Sequence, residues 1–546
     1  MAQKKQYEQN YFGYVYEKPV TYWTPTEEVK KRLTKADLTQ AGDIQAGGLP
    51  LISDGKTAYI DTEDGHTAII ATSGMMKSIC GFMPLIRTLA HSGENVIITD
   101  PKGELFQRTS GYLKSRNYRV FCLDFRTMDK DCFNIMRYPA EVYRSGETDK
   151  GLSLLSDIVN ALAEPQRQTC KDIFWPDCAA LWLNGTGSLM LDAYPKIEHV
   201  NVQNWSNFNI RKSASMVEDR LLPRMPDNIT KAQLEQCYSS AENTFRSILI
   251  TASSMLSMFN QNPKLAAMLS HSTFTLEDLT KSKTALYLVT DDTTSTADPI
   301  LGMIISQIQT FLVDKAFHSS NGKLPCHVSF ILDEFASLPL GNDMDKALAT
   351  HRSRGIKYYL CIQSLALLEK RYGKPEVILS NCASILYLGS TELALLTELE
   401  AKLGKTNITP DGSEKPLCSR AELMTLEKTW THKEAIYINL QENIRYCTKL
   451  PAIEAYGMGD GPVLTYSKKP PDVQVYTVSQ FVSDITEEKI RAPFAEKPQR
   501  KTALKEKRNK KNSAQPSSSS RTSDISLETE LAKKFDMLFG PLNDDD

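Results

Sequence analysis

Two adjacent carboxylates, Asp333 and Glu334 in Ile331-Leu332-Asp333-Glu334-Phe335, close an apolar run that begins at His327. A buried strand there delivers both to its C-terminal end, where open α/β sheets bind ligands. One carboxylate can orient Mg²⁺, and the other can polarise a water for attack on a terminal phosphate. Alone, the same pair also opens many ordinary loops.

A second site-forming stretch is Ala71-Thr72-Ser73-Gly74-Met75-Met76-Lys77-Ser78. A phosphate loop of the form G-x-x-x-x-G-K-[ST] uses its backbone N–H groups to wrap phosphates, its Lys for their terminal oxygens and its hydroxyl for Mg²⁺. On this reading Ser73, Gly74, Met75, Met76, Lys77 and Ser78 bind nucleotide together with Asp333, and Ser78 and Asp333 are the metal ligands. Ala71 and Met76 stand where the pattern has glycine. Before the Lys the backbone often turns left-handed, which a Cβ disfavours by roughly 1–2 kcal/mol, so the loop is degenerate. The plainer alternative is that Lys77 and Ser78 simply begin a helix after a buried strand.

Downstream, His351-Arg352-Ser353-Arg354-Gly355 ends a helical stretch, and Gln363-Ser364 ends the next apolar run. An Arg at such an edge can act on a neighbouring subunit's γ-phosphate, and a Gln at a strand tip can sense it. Either Arg can equally be a solvated charge at a helix C-terminus.

These groups need a frame. Apolar runs at Thr67 to Thr72, Asn95 to Thr99 and Tyr118 to Leu123 alternate with helix-forming stretches such as Ile79 to Ser92, which predicts βαβ units and a parallel sheet buried on both faces. The rhythm returns at Thr284 to Thr290, His327 to Leu332, Ile356 to Gln363 and Ser384 to Leu388, with helices at Leu301 to Phe317, Asp343 to Arg354 and Glu392 to Leu403. The stretch from 151 to 281 reads mainly as helix, its longest candidate running from Ser239 to Phe259, and is long enough to pack independently. The expected division is an N-terminal extension over 1–60, a nucleotide-binding α/β domain in two parts over 61–150 and 282–475, an all-α insertion over 151–281 and a flexible tail over 476–546. In that tail, Lys497 to Lys511 carries eight basic residues against one Glu, and a Ser-rich linker leads to an amphipathic segment at Ser526 to Phe539. The basic run suits DNA phosphates or anionic lipid, or is only a solvated linker. The terminal segment suits a partner, or else packs on its own domain.

Composition bounds the rest. The chain has 546 residues, more than one core usually holds, and its 64 basic residues against 66 acidic ones leave a net charge of −2. Polyanion binding must therefore come from local patches. Eleven scattered cysteines without a C-x-x-C argue against zinc or a disulfide framework and for a reducing cytosol. No apolar h-region opens the chain, and no uncharged apolar run reaches the roughly 18 residues of a membrane span.

In these motifs the chain resembles the type IV coupling proteins of bacterial conjugation, the TraG/TraD-like branch of the FtsK/HerA motor ATPases. The resemblance rests on Thr99-Asp100-Pro101-Lys102-Gly103-Glu104-Leu105, on Asn243 to Leu249, on Leu332 to Leu338 through Gln363-Ser364-Leu365 to Tyr372-Gly373, and on Ser380-Asn381-Cys382 leading into Tyr387-Leu388-Gly389. Phe174-Trp175 also fits, and coverage runs over about 60–410. It implies a RecA-like P-loop domain interrupted by an all-α domain and assembled as a homohexamer. That ring would bind ATP and Mg²⁺ between subunits and feed relaxase-bound, single-stranded DNA to type IV secretion channel proteins. Carried over by position, Lys77 and Ser78 hold phosphate and Mg²⁺, and Asp333 and Glu334 form the Walker B pair. Arg352 is the trans arginine finger and Gln363 the sensor, so Glu334, Arg352 and Gln363 are the catalytic residues. Family members usually carry N-terminal membrane helices; without them, a separate small membrane protein is expected to recruit the chain to the inner face of the cell membrane. Two other readings stand beside this one: a ring-forming receptor or adaptor that turns over ATP poorly, and a chromosomal FtsK/HerA-type translocase.

Overall fold

A computed structural model describes residues 21–40, 44–290, 297–338, 340, 344–406, 414–457, 463–465 and 473–486, with the backbone of a short hairpin at Tyr7–Gln9 and Val15–Glu17. The expected flexible tail beyond 486, including the basic run and the amphipathic segment, lies outside the described residues.

Nine strands make the central sheet: β1 His66–Ala71, β2 Asn95–Asp100, β3 Arg119–Asp124, β4 Thr284–Val289, β5 Val328–Leu332, β6 Ile356–Ile362, β7 Cys382–Gly389, β8 His432–Asn439 and β9 Ile444–Pro451. Their order is β9-β8-β7-β1-β6-β5-β2-β4-β3. The seven strands from β7 to β3 are parallel, and β8 and β9 join antiparallel at one edge. Continuous apolar runs form the parallel strands because both faces are covered: Ala68 and Ile70 point into one core, Ile69 and Ala71 into the other.

The helical stretch begins earlier than 151, at Arg137–Ser145, and continues through the long helices Thr148–Thr169 and Phe174–Ala193. No strand interrupts it between Asp124 and Thr284. Its longest expected helix is divided, into Glu242–Met255 and Ser257–Gln261. Trp182 and Trp205 are fully buried in it, and its core is continuous with the Ile70 face of the sheet.

Three features went beyond the expected frame. Thr34–Asp37, Leu49–Ser53 and Thr57–Asp61 form a small antiparallel sheet inside the N-terminal extension. The β8–β9 hairpin extends the main sheet. The chain past Val475, expected to open as a flexible tail, begins with the helix Val478–Thr486, anchored because Phe481 and Val482 are buried and Phe481 packs on Tyr194 at 4.8 Å. Among the described residues one helix, Asp298–Phe317, is long and apolar enough to cross a membrane, and 61% of its apolar window is buried inside the protein.

Candidate nucleotide site

The strand order puts the site together. β6 lies between β1, which delivers the phosphate loop, and β5, which delivers the acidic pair. Three strand ends thus bring Lys77, Asp333, Glu334 and Gln363 to one edge of the sheet. Lys77 Nζ contacts Asp333 Oδ1 at 2.5 Å, with both side chains about nine-tenths covered. Burial alone would lower the Lys77 pKa, but Cys361 and the carboxylates of Asp333 and Glu334 together outweigh it and hold the ammonium above its ordinary value.

The Ala71–Ser78 loop, expected to bind phosphate, holds two residues in the left-handed region. Gly74 has φ 80° and Met76 has φ 58° with ψ 25°, so a methionine occupies the left-handed position where glycine is free of the Cβ penalty. Met75 lies against Gly389, where a Cβ would come within 2.9 Å of the Met75 sulfur, and Thr72 N–H donates to the Gly389 carbonyl at 3.0 Å. Ser73 is exposed and Ser78 half-buried. The expected helix from Ile79 starts instead as a π-helical turn, Lys77–Phe82, before the α-helix Met83–Ser92. Such turns widen the backbone and recur at functional sites.

Glu334 is also left-handed, with φ 55° and ψ 40°. Its N–H donates to Asp333 Oδ1 at 2.9 Å, its carboxylate accepts from Gln363 Nε2 at 3.3 Å, and Thr99 Oγ1 donates to the Asp333 carbonyl at 3.1 Å. Non-glycine residues in this conformation are held by their surroundings, and here the neighbouring strand ends do the holding. Asp100, at the tip of β2, is pushed up to about 6, chiefly by burial, with the Asp333 charge adding to it. Its carboxylate accepts from Phe106 N–H at 2.8 Å, which fixes the DPKGEL turn beside the pair.

Arg352 and Arg354 are not at this edge. They form a 3₁₀ turn, Arg352–Arg354, just before β6 starts, so they stand at the N-terminal end of the strand whose C-terminal end carries Gln363. The structure therefore unites Lys77, Asp333, Glu334 and Gln363, sets Ser78 beside Lys77 on the π-turn and separates Arg352 from them. The turn is fixed by buried polar groups. Tyr358 hydroxyl accepts from Gln309 Nε2 at 2.9 Å and so gives its own proton to His351 Nδ1 at 2.7 Å. His66 Nδ1 accepts from Tyr358 N–H at 3.2 Å, leaving Nε2–H to donate to the Leu348 carbonyl at 2.8 Å. Both rings are neutral Nε2–H tautomers, and burial lowers each to about 4.

Two positions escaped the sequence reading. Glu392 accepts from Leu365 N–H at 2.8 Å, Ala366 N–H at 3.2 Å and Ser364 Oγ at 3.2 Å, capping the helix that follows Gln363. A lone Glu at a strand-to-helix junction gives no sign of so distant a partner. Lys428 Nζ donates to the Gly74 carbonyl at 2.6 Å and comes from the turn before β8, an edge that the sequence reading left unassigned. The alternating apolar pattern of Ile444, Tyr446, Thr448 and Leu450 was a legible signal for that edge.

The family model for type IV secretory system conjugative DNA transfer matches residues 23–445. Protein VirD4 of Rhizobium radiobacter is 25% identical over 363 residues, covering 63% of this chain and 48% of VirD4. Conjugal transfer protein TraG of Escherichia coli is 32% identical over 341 residues, covering 57% of this chain and 51% of TraG. The chain thus spans about half the length of these relatives. The coupling protein TrwB shares the fold: its complex with the ATP analogue ADPNP aligns with TM-score 0.53 and 15% identity over 83% of this chain and 97% of TrwB, and its sulphate-bound form with TM-score 0.52 and 15% identity over 79% and 94%. With its mostly parallel α/β sheet and a family match running from residue 23 to 445, the chain belongs to the type IV secretory system conjugative DNA transfer family.

Proposed function

We propose that this chain is an ATP-dependent coupling protein that takes relaxase-bound, single-stranded DNA and drives it to a type IV secretion channel during conjugative transfer. One observation carries the reading: Lys77, Asp333, Glu334 and Gln363 share one sheet edge, while Arg352 stands at the opposite end of β6. TrwB, which has this fold, has been solved with ADP and Mg²⁺.

The backbone from Ser73 to Met76 wraps the phosphates, and Lys77 turns from Asp333 to share its charge with their oxygens. Ser78 and Asp333 would hold Mg²⁺, which would neutralise charge on the phosphates. Glu334 orients the attacking water and takes its proton. Gln363, already within 3.3 Å of that carboxylate, senses the terminal phosphate from the strand between the two halves of the site. Seven residues of β6 put Arg352 roughly 23 Å from Gln363, beyond the reach of its own site. We infer that Arg352 serves a neighbour's site across a head-to-tail subunit interface, in the closed homohexamer that the family resemblance implies. The helical stretch over 151–281 acts as the inserted all-α domain that meets the substrate complex. The ring works at the cytoplasmic face of the cell membrane, where the secretion channel opens.

Met76 supports a second reading. Its left-handed backbone stores strain in the phosphate loop, as expected of a receptor or adaptor with slow turnover. Deletion of the gene, complemented by wild-type or Glu334→Gln protein, tests the main reading. Loss of DNA transfer restored only by wild type supports it. Transfer restored equally by Glu334→Gln favours the adaptor, and normal transfer with failed chromosome segregation favours a chromosomal translocase.

A further inference from the structure

Trp430 is 86% exposed, the most exposed large apolar side chain among the described residues. It sits at the tip of a tight turn. The backbone of Lys428 pairs with that of Lys433, and Thr429 N–H donates to the His432 carbonyl at 3.0 Å, leaving Trp430 and Thr431 at the tip. A turn tip favours small or polar residues, and an uncovered indole there leaves about 200 Å² of ring surface in water.

The register of β8 says where the tip points. Ile436 pairs with Tyr387, and Tyr387 pairs with Ile70. Because β8 runs antiparallel to both partners, His432, four residues before Ile436, stands roughly 13 Å beyond the level of Ile70. That is the direction in which β1 delivers the phosphate loop. The bond from Lys428 Nζ to the Gly74 carbonyl, at 2.6 Å, fastens the turn to that loop. Two residues of chain, about 7 Å, then separate the loop-bound Lys428 from the bare indole. A nucleotide whose phosphates lie in the loop carries its base one ribose away from them, and a flat aromatic ring with a free face stands beside that path.

We propose that Trp430 is the base platform of the site: its indole stacks on the nucleobase of the nucleotide whose phosphates the loop at Ser73–Ser78 holds. This rests on the nucleotide reading of that loop. Stacking uses the π-face that every base has, so the platform adds affinity without choosing between adenine and guanine. Lys428 sets its position by tying the turn to Gly74.

Calorimetric titration of the full chain with ATP, GTP and inorganic tripolyphosphate tests this, using wild type, Trp430→Ala, Trp430→Phe and Lys77→Ala. Trp430→Ala should weaken ATP and GTP alike, by roughly tenfold, and leave tripolyphosphate unchanged. Trp430→Phe, which keeps a ring, should stay within about threefold of wild type. ATP binding unchanged in Trp430→Ala overturns the platform, as does an equal loss of ATP and tripolyphosphate, which would mean a disturbed loop rather than a lost stack. Failure of the loop reading looks different: wild type then binds neither ATP nor tripolyphosphate, or Lys77→Ala binds both as wild type does, and the platform falls with it.

Discussion

Arg352 and Gln363 stand at opposite ends of one strand, Ile356–Ile362, the first in the turn before it and the second immediately after it. The strand between them is flanked by the strand of the phosphate loop and the strand of the acidic pair. Two side chains so placed cannot meet in one site of one chain. They can serve two neighbouring sites, with the strand as the rigid link between them.

Arg352→Ala should therefore abolish hydrolysis without touching nucleotide binding. A trans finger is worth about 10³-fold or more in turnover, so the variant should fall at least that far while its ATP affinity stays at wild-type level. Mixing it with Glu334→Gln protein should restore part of the activity, since some interfaces then pair an intact Arg352 with an intact Glu334. Steady-state ATPase assays on the mixture check this, and a mixture no more active than its parts would place Arg352 outside the site.

The left-handed Met76 predicts a gain from glycine. The folded chain already carries this strain, so Met76→Gly removes a Cβ penalty of about 1–2 kcal/mol from the native state and should raise the unfolding free energy by up to about that amount in urea titration, with ATP affinity unchanged. An unfolding midpoint at or below that of wild type would show that Met76 stores no strain in the fold.

The closed Lys77–Asp333 pair predicts an asymmetric loss of stability. Lys77→Met leaves Asp333 buried and unpaired, a change that costs about 3–5 kcal/mol, while Lys77→Met with Asp333→Asn should recover much of it in urea unfolding. Neither variant should bind ATP. A single variant as stable as wild type would mean that the carboxylate finds water or another cation.

Acid should loosen the fold through the histidines behind Arg352. His66 and His351 titrate near 4 in the folded chain and at about 6.5 when unfolded. Between those values the unfolded chain binds more protons, so stability falls as pH drops from about 6.5 toward 4 and is flat above. Asp100 works the other way, because burial raises it to about 6 from 3.8 and the folded chain takes its proton first. Two histidines outweigh one aspartate. His351→Gln should flatten the slope of unfolding free energy between pH 4.5 and 6.5, assuming the ordinary range of about 6.5 for an unfolded histidine; an unaltered slope would mean that His351 does not titrate with folding.

Much of this was legible in the residues. The seven parallel strands were readable because most of their residues are buried on both faces and spell apolar runs, as Tyr358 to Ile362 does. The acidic pair, Lys77 and Gln363 could be assigned to strand ends for the same reason. The separation of Arg352 from Gln363 was not readable as a distance, since only the strand direction sets it. The edge strands were missed because their exposed positions, such as Cys447 and Lys449, break the apolar run into an alternation. The π-turn after Lys77 and the partners of Glu392 and Lys428 depend on contacts between distant segments, which local pattern does not encode.

The most direct measurement is the ATPase rate of the purified chain with and without single-stranded DNA, beside Glu334→Gln. A DNA-stimulated rate in wild type, with Glu334→Gln at background, is the predicted result. A wild-type rate no higher than that of Glu334→Gln, with DNA present, would contradict the motor function proposed for this site.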